Sequence, residues 1–160
     1  MFGLLKKEKI NIANICSNIY DTSLIITEKL NRIVFNYGYT VKNKALFTSI
    51  SSLFCYCFFE SVLKKYYKFS DNKCFTIFDS LITELSSHLD EVTKEQTFKV
   101  FIEIKQLLNN PPNVNELAEF VAANFIIMAL EFDEEEIDTL LLFDIYREFD
   151  TILKNVYKIY

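Results

Sequence analysis

From Ala45 to Leu63 the chain reads ALFTSISSLFCYCFFESVL, with Glu60 its only charged residue. Thirteen of these nineteen residues are apolar. A segment of that kind has to leave water, so it constrains how everything else is arranged. At helical spacing, Leu46, Phe47, Ile50, Leu53, Phe54 and Cys57 share a face of the first half, and Thr48, Ser49, Ser51 and Ser52 lie largely opposite. The second half has no polar face, because Cys55, Tyr56, Phe58, Phe59, Val62 and Leu63 surround the axis. A helix apolar all round belongs in a core or in a membrane.

Two observations favour the core. A membrane span takes roughly 18 or more apolar residues, whereas the uncharged run Ala45 to Phe59 has 15 residues, four of them Ser or Thr. Lys42 and Lys44 precede it and Lys64, Lys65 and Lys68 follow it, so charge selects no orientation across a bilayer. Membrane association is therefore the weaker alternative. Glu60 needs a partner, since a lone buried carboxylate is costly. Lys64, one turn on, stands in the favourable Glu-before-Lys order. The sharper reading makes Glu60 a functional acid in an apolar pocket with Phe54, Phe58 and Phe59.

A length of 160 residues suits one domain over 1–160 with a full core of its own. Only two Gly and two Pro occur. So few turn residues favour helices with short connections, and they argue against glycine-rich phosphate loops. Neither a GxGxxG nor a P-loop pattern is present. With 51% apolar residues, disorder is not expected. The 16 Phe and 9 Tyr make a bulky core and leave aromatic surface for a partner, and a homodimer stays open.

Cys16, Cys55, Cys57 and Cys74 lie in apolar runs without a CxxC spacing, which points to free thiols in a reducing compartment. The opening MFGLLKKEKI has no cleavage-site pattern and no long apolar stretch, so a cytoplasmic location is expected. His88 is the only histidine, with Glu84 one turn before it. One His and one Glu cannot supply a zinc or di-iron site, so neither metal nor cofactor is expected and no catalytic residue is assigned.

Periodicity divides the chain into about six helices. The first runs from about Lys7 to Tyr37, with Asp21–Ser23 as the place where side chains that compete for backbone bonds could break it and Gly38 as its terminator. The second, 41–69, carries the apolar stretch. A third covers about Asn72 to Leu89. The fourth opens at the capping-box pattern Thr93-Lys-Glu-Gln96 and ends near Asn109. Prolines in Asn109-Asn-Pro-Pro-Asn113 stop it, so a sub-division into 1–109 and a C-terminal hairpin 113–160 is the alternative to one unit. The fifth, 115–130, should pack on the second, and Asp133–Glu136 should cap the sixth.

Charge is uneven. Residues 1–73 carry a balance of +6 and residues 74–160 a balance of −11. Glu131, Asp133, Glu134, Glu135, Glu136 and Asp138 open a stretch of nine acids in 131–150 against Arg147 alone. Part of this suits a helix N-terminus. The spacing fails an EF-hand, since Asp138 stands where Gly is needed and Asp144 where Glu is needed. What remains is an acidic surface suited to a basic partner.

The sequence thus predicts an all-α, single-domain bundle whose central helix 41–69 packs on helix 115–130. The expected function is non-catalytic protein binding of an immunity, antitoxin or adaptor kind, through the acidic surface. The alternative is binding of an apolar ligand or a membrane surface through the Phe-rich core. Basic and aromatic residues interleave over Lys64–Lys73, but nucleic-acid binding is not favoured in an acidic chain. Richness in Ile, Asn, Lys, Phe and Tyr suggests an AT-rich genome, bacterial or from a mobile element.

Overall fold

The computed structural model describes residues 11–41, 43–109, 114–130 and 137–155. Among them the chain forms six α-helices: α1 Ile12–Asn36, α2 Lys44–Tyr66, α3 Asp71–Ser87, α4 Glu91–Leu108, α5 Val114–Leu130 and α6 Thr139–Asn155. The all-α bundle expected from the sequence is the observed architecture.

Each well-described start has a side-chain cap that satisfies a backbone N–H left over at a helix end. Asn11 Oδ1 accepts from Asn14 N, Asn43 Oδ1 from Leu46 N, and Ser70 Oγ from Lys73 N. Helix α4 is capped by Asp90, not by Thr93. The Asp90 carboxylate accepts from both the N–H and the hydroxyl of Thr93, each at 2.9 Å. Those bonds hold the Asp90 carboxyl below its ordinary range. Helix α1 ends as expected at Gly38, where φ is +80° and Tyr39 N–H returns to the Val34 carbonyl. No break occurs at Asp21–Ser23; α1 runs through them, with Ser23 buried. Lys68 takes a left-handed φ of 56° where α2 turns into α3, a position that a glycine would hold with less strain.

Helix α2 lies at the centre and packs on each of the other five. Its second half is buried on all sides, as read from the sequence. Its first half is not one-sided: Ser49, Ser51 and Ser52 are buried too. Ser49 and Ser51 donate their hydroxyls to the carbonyls of Ala45 and Phe47, one turn back, both at 2.8 Å. A serine that satisfies itself on its own helix can be buried without a tertiary partner. By length and composition α2 would cross a membrane, yet 78% of its apolar window is inside the bundle.

The expected contact between α2 and α5 is made by rings. Phe125 of α5 meets Phe47 at 5.8 Å and Phe54 at 5.5 Å between centroids, both edge-on. Phe149 of α6 meets Phe58 at 5.7 Å and Phe125 at 6.1 Å. Edge-to-face geometry at these distances is the favourable one for aromatic pairs. All six helices contribute to this one cluster of buried residues. Helix α6 is tied to α1 as well, through Tyr37 Oη donating to Asp144 at 2.7 Å and Lys29 paired with Glu148 at 3.4 Å.

Phe125 is the hub of the ring cluster. Phe125→Ala is expected to cost about 3–5 kcal/mol, read as a lower midpoint in urea unfolding with an unchanged slope. A loss below about 1 kcal/mol would show that the ring contacts contribute little beyond filling space.

Candidate functional site

The residues that the sequence singled out fall in different places. Phe54, Phe58 and Phe59 are fully inside, and their rings fill the centre of the bundle. A pocket among them has no room to open without unpacking Phe125 and Phe149. Of the acidic set, Glu131, Asp133, Glu134, Glu135 and Glu136 lie outside the described residues. Asp138 is described, and it caps α6 by accepting from Leu140 N at 2.8 Å and Leu141 N at 3.3 Å. Asp138 thus caps α6, and the expected cap at 133–136 lies outside the described residues. Further along the run, Asp144 accepts from Tyr37, Glu148 pairs with Lys29, and Asp150 pairs with Lys154. Those three carboxylates serve the fold. The bond to Asp144 pushes the Tyr37 hydroxyl up to about 12, helped by desolvation.

Glu60 has the partner expected and one more. Glu60 is 9% exposed, and its carboxylate lies 3.1 Å from Lys64 Nζ and 2.5 Å from Lys105 Nζ. Lys105 comes from α4, so the pair ties α4 to the central helix. Burial pulls Lys64 down, but hydrogen bonds to Asp71 and Glu60 outweigh it and raise the ammonium above its ordinary value. This arrangement answers the cost of burying a carboxylate. His88 bonds Glu84 at 3.1 Å on the surface, and both side chains are exposed. No group of three or more His, Cys, Asp or Glu suited to a metal occurs among the described residues.

The thiols are set by burial. Desolvation pushes Cys57 up to about 12 and Cys74 to about 11, and raises Cys55 further still. Cys16 is raised by the same cause and sits near the surface, with its thiol toward the Ile77 carbonyl at 3.8 Å. At neutral pH these groups are thiols, not thiolate nucleophiles.

The concave feature that the sequence did not reveal lies between α3 and α4. These helices follow each other in the chain, joined by a short turn at His88–Asp90, yet they pack on α2 rather than on each other. The opening between them is a groove of about 540 Å³. Leu53 of α2 forms its floor with Thr97. Ile82, Leu85 and Leu89 form one wall, and Val92, Phe98 and Phe101 form the other. Val92 and Phe98 are 69% and 59% exposed, large values for apolar side chains. Phe98 and Phe101 stand as a tilted ring pair at 6.4 Å. The rim carries both signs: Glu91, Lys94 and Glu95 line it. Lys94 pairs with Glu91 at 3.5 Å and Lys99 with Glu95 at 3.1 Å.

A signal for this groove was present in α4. Thr93, Thr97 and Ile104 face inward, while Phe98 and Ile102, one turn apart, face out. At 100° per residue these are different faces, so α4 carries more apolar surface than its core contact uses. Periodicity counts both faces as core.

Compared with protein families, curated proteins and solved structures, the chain has no match.

Two outcomes follow. Lys105→Ala leaves Glu60 with Lys64 alone and should cost about 1–3 kcal/mol, while Glu60→Met, which removes the buried charge as well, should cost less. Equal losses in urea unfolding would sink this account of the pair. Separately, a thiol reagent at pH 8 should modify at most Cys16 in the folded protein and all four cysteines in urea. Rapid native modification of Cys55 or Cys57 would contradict the burial described.

Proposed function

We propose that this chain is a non-catalytic protein-binding module, of an immunity, antitoxin or adaptor kind, that works in the cytoplasm. It captures a basic partner protein at the groove between α3 and α4. The observation that carries this reading is the groove itself: an apolar trough open to solvent, floored by Leu53, flanked by exposed Val92 and Phe98, and rimmed by Glu91 and Glu95. An amphipathic helix laid in such a trough buries a row of apolar side chains at i, i+3, i+4 and i+7. Basic residues on its flanks would exchange with Lys94 and Lys99 for Glu91 and Glu95, and the net acidity of the chain would speed encounter. The acidic segment Glu131, Asp133–Glu136 remains a second contributor, acting at longer range on the same basic partner.

A second reading is binding of an apolar ligand. Its place is the groove and not Phe54, Phe58 and Phe59, because the groove volume lies within the range of roughly 300–1,000 Å³ usual for small-molecule sites.

The test is capture from native host extract, identification of the partner, and titration of the purified pair with variants. Val92→Ala with Phe98→Ala should weaken binding at least about tenfold, as truncated anchors at an interface centre do. Glu91→Lys with Glu95→Lys should slow association and flatten its salt dependence. Glu134→Lys with Glu135→Lys should change binding less than either. Full binding by the Val92/Phe98 variant, with loss in the Glu134/Glu135 variant, would overturn the groove and return recognition to the acidic segment. An extractable lipid in place of a protein would favour the second reading.

A further inference from the structure

Where α1 turns into α2, the chain leaves a hollow of about 370 Å³. Asn31, Arg32 and Phe35 of α1 line it, with Tyr39 and Thr40 from the corner and Lys44 from the start of α2. We propose that this hollow binds a small phosphate monoester carried on a planar ring, of the nucleoside monophosphate class.

Charge comes first. Arg32 and Lys44 are both exposed, and neither has an ion pair or a hydrogen bond among the described residues. No carboxylate lines the hollow, so nothing in its lining offsets these two cations. Glu28, one turn before Arg32, is the local competitor, yet the two form no ion pair. Asp144 serves Tyr37, which stands about 200° around α1 from Phe35. A phosphate monoester brings a charge of about −1.5 to −2 near pH 7 and three acceptor oxygens. Arg32 offers a planar fork that matches two of them, and Lys44 offers an ammonium with three N–H donors. Lys44 is also the first residue of α2, whose positive end favours an anion. The opposing field at the end of α1 is weakened, because the carbonyls of Ile33, Val34 and Phe35 accept from the N–H groups of Tyr37, Tyr39 and Gly38.

An unused ring then selects the rest of the ligand. Phe35 is 78% exposed, the most of any large apolar side chain among the described residues. Among those residues no other ring or cation stands against it. It lies three positions from Arg32 on the same side of α1, so a planar base stacked on Phe35 places an attached phosphate within reach of the guanidinium. Tyr39 gives the hollow a second aromatic side chain, and Asn31 and Thr40 supply neutral hydrogen-bonding groups. The corner is held from both ends, by Tyr39 N–H on the Val34 carbonyl and by Asn43 capping α2, so the backbone under the site is set before a ligand arrives. The volume is at the small end of the roughly 300–1,000 Å³ usual for such sites, which suits one nucleotide. A long strand is disfavoured by the net charge of −5.

The experiment uses the full chain and does not depend on the groove between α3 and α4. Adenosine monophosphate, adenosine and inorganic phosphate are each titrated at an ionic strength matched with chloride, while the amide signals of Asn31, Thr40 and Lys44 are followed by NMR. Saturable shifts are expected with adenosine monophosphate, at concentrations at least about tenfold lower than with either fragment. Arg32→Gln and Phe35→Ala alter exposed side chains, so both should keep the wild-type urea midpoint. Arg32→Gln should weaken the nucleotide about tenfold and leave adenosine unchanged. Phe35→Ala should weaken the nucleotide and adenosine alike, about tenfold, and leave inorganic phosphate unchanged. Glu28→Gln removes the competitor and should tighten the nucleotide by a few fold. No saturable response, a response that chloride reproduces, or nucleotide binding that Arg32→Gln and Phe35→Ala leave unchanged overturns the site. Inorganic phosphate binding as tightly as the nucleotide overturns the role of the ring, and with it the nucleotide class.

Discussion

The structure depends on one constraint, that a helix without a polar face must be covered on every side. Helix α2 cannot be an outer helix of a bundle, because any face turned to water would expose Leu, Phe, Tyr or Cys. Five other helices meet that need, and each touches it. Their lengths fit the task, since no helix among the described residues is longer than the 25 residues of α1. The rings of Phe47, Phe54 and Phe58 point from α2 toward α5 and α6, and Phe125 and Phe149 answer them. Bulky rings at the contacts with α5 and α6, and self-bonded serines near the start of the helix, let one central element contact neighbours of different kinds.

The one charge between Ala45 and Leu63 links the central helix to α4. Glu60 is almost inside, and a carboxylate there is tolerated only with cationic partners. Lys64 is local, as the helical spacing requires. Lys105 is distant in sequence and comes from α4, so the pair links α4 to α2. In α4, Thr97 and Ile104 are buried, while Phe98 and Ile102 are exposed. Helix α4 lines the groove near its start and a lysine-lined hollow near its end.

Much of the architecture was legible because it rests on local physics. Six helices, the stop at Gly38 and the central position of α2 all follow from periodicity, turn chemistry and the absence of a polar face. The readings that failed were those in which two local signals competed. Thr93 looked like a cap because Gln96 completes a capping box, yet Asp90 lies one turn earlier and its carboxylate is the stronger acceptor for the first free N–H groups. Asp21–Ser23 could have broken α1 because such side chains compete for backbone bonds, yet the helix runs through them. The further acids Asp144, Glu148 and Asp150 have partners that charge in a sequence does not reveal. In the fold they bond to Tyr37, Lys29 and Lys154.

By itself, then, the sequence determined that this chain is an all-helical bundle built around residues 44–66, because hydrophobic periodicity and the scarcity of Gly and Pro are properties of short segments. Only the tertiary structure decided where the concave surfaces lie. A groove is made by helices that fail to meet, and α3 and α4 part because both seek α2. Which apolar face of α4 turns in, and which lysine reaches Glu60, are long-range choices between residues 45 positions apart. No periodicity within a single helix encodes them.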